Sequence, residues 1–158
     1  MMTKCLLTLG VLWALCSPCW AVPPWEAIVQ LQSGVATNEL IFGQWPMADP
    51  SLENSAAVPA LLKGALQSCF MRKEHSLWRD IRALAVSSPV EWTVNIEHEK
   101  SLNQPLILRW KLDHVPGQVT LKLVTPQTSV PIIVAAGTSQ RFELKKNMTF
   151  KIIAEIKE

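Results

Sequence analysis

"VPALLKGALQSCFMRKEHSLWRDIRALAV", residues 58–86, is the stretch whose reading decides the fold. Val58, Leu61, Leu62, Ala65, Leu66, Cys69 and Phe70 fall on one stripe at the 3.6-residue spacing of an amphipathic helix. The stripe resumes at Leu77, Trp78, Ile81, Leu84 and Ala85, while Lys63, Arg72, Arg79 and Arg82 take the other side. Glu74-His75-Ser76 interrupts the pattern, so the expectation is one bent helix or two in series. Ser87-Ser88-Pro89 ends it, because proline disfavours the helical conformation in the residue before it.

After Pro89 the period changes to two. Trp92, Val94 and Ile96 alternate with Thr93, Asn95 and Glu97, and Leu106, Leu108, Trp110 and Leu112 with Arg109, Lys111 and Asp113. Val119, Leu121 and Leu123 alternate with Thr120 and Lys122, and Met148, Phe150, Ile152, Ala154 and Ile156 stand opposite Thr149, Lys151, Glu155 and Lys157. Strands that bury one face and wet the other are the habit of antiparallel sheets. Pro116-Gly117 supplies a tight turn, and the more continuously apolar "VPIIVAA", residues 130–136, reads as a central strand.

The fold class expected is therefore α+β. N-terminal helical segments would pack on a C-terminal antiparallel β-sandwich of six short strands, loosely immunoglobulin-like in architecture, with Trp110 in its core. The expected parts are a mainly helical segment over 22–88, holding an irregular connection at 44–56, and a sandwich over 89–158. Within the first part, "PWEAIVQLQSG", residues 24–34, suits a short helix begun by Pro24 and stopped by Gly34, although its β-branched content also admits a strand. "NELIFG", residues 38–43, adds a short strand.

Residues 1–21 have the layout of a signal peptide: Lys4, then the uncharged run "LLTLGVLWAL", then Ala21 as the residue before the cut. The chain is therefore expected to be secreted or periplasmic, with no membrane-spanning segment after cleavage. Lipidation is the minority alternative, since Leu15 before Cys16 and Pro18 before Cys19 occupy positions where a lipobox has a small residue. Cys16-Ser17-Pro18-Cys19 has dithiol spacing but falls in this leader. Only Cys69 then remains, either as a buried small hydrophobe or as the donor of an intermolecular disulfide.

Fifteen basic residues nearly balance thirteen acidic ones, so the charge gives no reason to expect nucleic acid as a partner. No phosphate-cradling glycine loop and no G-x-S-x-G appears. Of the three histidines, His98 lies between Glu97 and Glu99 on an expected strand, where its neighbours point away from it. His75 and His114 sit in a break and beside a turn. These readings assign no catalytic, metal or cofactor residue. Asn147-Met148-Thr149 matches a glycosylation acceptor, which matters only in a eukaryotic secretory pathway.

What remains is an exported, non-enzymatic interaction or assembly protein of the cell envelope, for which a secretion or conjugation system is the most concrete setting. Its partner would be another protein, met by Trp25 and Trp45, which stand in proline-bearing segments. The alternative class is an inhibitor or immunity protein presenting "HVPGQ" (114–118) or "TPQTSVP" (125–131) to an enzyme. A small hydrolase would need acids and histidines from distant segments to converge in a deep polar pocket.

Overall fold

The computed structural model describes residues 22–46, 48, 56–84, 89–128 and 130–157. Residues 1–21, expected to be a leader, lie outside them with the Cys16–Cys19 pair, as do Ser87, Ser88 and most of 44–56. Among the described residues there are eleven strands and no helix. They are β1 (Trp25–Ser33), β2 (Ala36–Trp45), β3 (Ala57–Pro59), β4 (Leu66–Arg72), β5 (His75–Ala83) and β6 (Val90–His98). The remainder are β7 (Leu106–Lys111), β8 (Val119–Val124), β9 (Ile132–Ile133), β10 (Ser139–Phe142) and β11 (Met148–Ile156). The expected α+β class is thus overturned: the fold is all-β, a mixed sheet curled into a half-barrel.

The correction at 58–86 has a physical cause. Leu66, Ser68 and Phe70 face the interior of β4, and the serine at the middle position breaks the apolar alternation that would have marked a strand. Cys69, on the opposite face, is also buried. Two-sided burial erased the period of two, and an accidental helical stripe remained. The interruption at Glu74 is a hairpin turn instead: Arg72 pairs with His75, and Lys73 between them adopts φ 56°. Likewise 24–34 is a strand. Gly34 closes its hairpin to β2 with φ 58°, as the first central residue of a two-residue turn between Ser33 and Ala36.

The sheet runs β10-β7-β1-β2-β5-β4-β6-β11-β8-β9, with β3 added to β5. Every pairing is antiparallel except β2 with β5, which is parallel. Curling is visible in the aromatic core. Trp25 on β1 meets Trp92 on β6 at 6.0 Å between ring centroids, although three strands separate them in the sheet. Phe42 on β2 touches Trp92 at 5.2 Å, Phe70 at 5.9 Å and Trp110 at 6.4 Å, all edge to face. Such edge contacts contribute about 0.5–1.5 kcal/mol each beyond the area they bury. β5 spans two clusters: Leu77 belongs to this main core, whereas Ile81 joins a satellite cluster with Ala48 and Ala56.

The strands expected around Trp92, Trp110, Leu121 and Phe150 are present as β6, β7, β8 and β11, and Trp110 is buried. "VPIIVAA" is not central. It forms the two-residue strand β9 at the rim of the sheet, with Ile133 68% exposed.

Candidate functional site

Where β1 begins and β2 ends, the chain forms a shallow hollow of about 410 Å³ lined by Pro24, Trp25, Glu26, Trp45 and His114. Register places its parts. Trp25 pairs with Gln44 and Glu26 with Gly43, so the start of β1 lies beside the end of β2. The glycine is required there: a Cβ on Gly43 would stand 2.1 Å from the Trp25 carbonyl oxygen. Arg79 on β5 lies across from Ile41, one strand further on. Its guanidinium sits 5.1 Å from the Trp45 ring centroid and donates from Nη2 to Glu26 Oε1 at 2.6 Å.

The two tryptophans singled out from sequence therefore meet at one place, but in different states. Trp25 is 1% exposed and its ring belongs to the core. Its indole N–H is buried without a hydrogen-bond partner. Trp45 stays half-buried, with one side against the Ala48–Ala56–Ile81 cluster. His114, from the "HVPGQ" turn, is exposed at the same hollow, an adjacency that sequence spacing gives no means of finding. The other loop, "TPQTSVP", stands at the β8–β9 rim with Val130 exposed. No family model, curated protein or solved structure matches this chain.

A second polar cluster is enclosed rather than open. Asp80 has no exposed surface. Arg72 Nη1 donates to its Oδ1 at 3.1 Å, and Arg82 donates to Oδ2 from Nε at 3.0 Å and from Nη2 at 2.8 Å. Arg82 also reaches the Glu91 carbonyl at 2.5 Å and lies 5.3 Å from the Trp92 ring centroid, while Trp92 Nε1 donates to the Asp80 carbonyl at 2.9 Å. These bonds tie β4, β5 and β6 together. Their geometry is that of a structural clamp, since every carboxylate oxygen is already engaged.

Cys69 is 5% exposed, on the outer face of β4, beside a cavity of about 160 Å³. Burial pushes its thiol pKa up; the Ser76 hydroxyl opposes this, and the nearby Glu97 carboxylate adds a lesser upward effect. The three histidines do not converge: His75 opens β5, His98 closes β6 with Nδ1 2.9 Å from the Glu99 carbonyl, and His114 stands at the hollow. Among the described residues, no three His, Cys, Asp or Glu side chains lie together as metal ligands.

Proposed function

We propose that this chain is an exported, non-enzymatic binding protein of the cell envelope that holds a protein partner against the hollow at Trp45. The observation that carries the reading is the composition of that hollow: a half-buried indole flanked by a cation, a carboxylate and an imidazole, all on strands or next to them. Tryptophan and arginine are the side chains in which interface energy concentrates, and a rigid sheet presents them without an ordering cost. The leader over residues 1–21 supports an extracytoplasmic address.

The partner's apolar group would rest on Trp45 and Pro24, with its polar atoms turned toward Glu26, Arg79 and His114. Affinity capture from the native envelope, run in parallel with the full-length protein and its Trp45→Ala variant, tests this. One protein recovered by the parent and lost from the variant is the expected result. In a purified pair, the loss should be about 2 kcal/mol or more, ~30-fold in Kd. Equal recovery by both would overturn the site. Mass analysis of the exported protein's N-terminus checks the cleavage after Ala21.

The inhibitor reading shares this surface, because His114 brings the "HVPGQ" turn to it. Under that reading the recovered partner is an enzyme whose activity falls on binding, which a turnover assay of the captured pair distinguishes.

A further inference from the structure

We propose that one end of the half-barrel docks on a bilayer rich in anionic phospholipid. Register and hydrogen bonds gather several connections at that end. Ser33 Oγ donates to the Gln104 carbonyl at 2.8 Å, which ties the β1–β2 turn to the segment before β7. Phe142 pairs with Leu106 and Met148 with Ile96, so the β10–β11 connection runs between the start of β7 and the end of β6. The Glu99 N–H donates to the Ala65 carbonyl at 2.9 Å and brings in the approach to β4. These connections carry Lys63, Lys100, Lys145 and Lys146, with Arg141 beside them near the end of β10, and all of these cations are exposed. Among the described residues none of them has an ion-pair partner, whereas Arg72, Arg79, Arg82, Lys122 and Lys151 on the strands each hold a carboxylate. Glu99 and Glu143 are the acids of the same connections, so the end keeps an excess of positive charge.

Arg141 also lines a hollow of about 390 Å³ with Asn103, Pro105, Phe142, Glu143 and Leu144. A guanidinium can hold two phosphate oxygens at once, and the hollow gives a lipid headgroup room to reach it. Val35, at the tip of the β1–β2 turn, is 99% exposed. Small polar residues are the usual occupants of such a turn, and an apolar one at the tip is placed to enter the interfacial layer of a bilayer. Lysines near an anionic lipid surface are attracted to it, whereas lysine is depleted at protein interfaces. The connections contain no aromatic residue of the kind that anchors a protein partner. That composition favours a lipid surface over an acidic protein. β1 sets the orientation: its first residue lines the Trp45 hollow and its last adjoins the docking end, nine residues or roughly 26 Å along the strand. A docked molecule therefore holds the Trp45 hollow clear of the bilayer. The inference does not rest on a partner being bound there.

The test is sedimentation of the full-length protein with vesicles of phosphatidylcholine alone and of equal parts phosphatidylcholine and phosphatidylglycerol. Any apolar attachment through residues 1–21 is common to both vesicles and cancels in the comparison. Preferential retention by the mixed vesicles is expected. Lys145→Gln combined with Lys146→Gln should reduce it about fivefold per charge, ~30-fold together. Val35→Ser should reduce it about threefold or more. Lys73→Gln takes a cation from the β4–β5 hairpin, at the far end of the strand that begins beside His98, and should leave retention unchanged. All four positions are exposed, so each variant should keep the parent's unfolding midpoint. Equal retention by the two vesicle types, or an equal loss from Lys73→Gln, would overturn the proposal. So would a charge-dependent retention that Val35→Ser leaves untouched, which would assign this end to an acidic protein instead.

Discussion

Asp80 survives without exposed surface because two guanidiniums saturate its oxygens. The clamp is strongly asymmetric under mutation. Removing the carboxylate leaves Arg72 and Arg82 facing each other with side chains only 16% and 24% exposed. Breaking a buried pair from one side costs about 3–5 kcal/mol, since each guanidinium loses its carboxylate in a poorly solvated position. Asp80→Ala should therefore lower stability by that order in urea unfolding. A shift below about 1 kcal/mol would mean that the arginines turn out to water freely. Glu39 offers the opposite case, an exposed carboxylate on β2. The Gln30 amide donates to it and Lys111 lies 3.4 Å away, so its pKa sits below the ordinary glutamate range. A pKa lowered by folding contributes stability above the unfolded value, and that contribution is lost as pH falls through the folded one. NMR titration of the Glu39 carboxyl should show the lowered midpoint, and Gln30→Ala should raise it toward the free value.

At the scale of the element, the β1–β2 hairpin rests on Gly43. With a Cβ 2.1 Å from the Trp25 carbonyl oxygen and 2.9 Å from the Glu26 Cα, the atoms in the way are backbone and cannot rotate aside. Gly43→Ala should cost about 2–3 kcal/mol in thermal unfolding, in the range of changes that force backbone to shift. It should also weaken any partner bound at the Trp45 hollow, since Trp25 and Glu26 line it. An alanine tolerated without loss would mean that the pairing of Glu26 with Gly43 relaxes easily. β6, β7, β8 and β11 were legible because each buries one face only, and Trp92, Trp110, Leu121 and Phe150 keep the period of two. β4 and β5 were not, because Ser68 and Asp80 occupy buried positions while Cys69 and Ile81 are buried among other neighbours. The charge of Asp80 is compensated by Arg72 and Arg82, and a linear pattern contains no trace of that compensation. For the candidate site, Trp25 and Trp45 were singled out by their proline-bearing segments, whereas Arg79 and His114 come to the hollow from parts of the chain that no sequence spacing connects to it.

For the whole molecule, the order of strands matters more than their number. β11, the last strand described, lies between β6 and β8, where Met148 pairs with Ile96 and Ile152 with both Trp92 and Leu123. Met148, Phe150, Ile152 and Ala154 from this strand are part of the main core. The half-barrel therefore cannot close until its final segment is present, and a sheet of such long-range pairings folds slowly compared with locally paired ones. A chain truncated after Asn147 should show no cooperative thermal transition, because β6 and β8 are left with unpaired edges and the core with an open side. The rim behaves differently: Ile133→Ser on β9, at a residue 68% exposed, should leave the midpoint within about 0.5 kcal/mol of the parent. A truncated chain that still melts cooperatively would show that β6 and β8 close without the strand between them, and the sheet order would then have to be a consequence of folding rather than its condition.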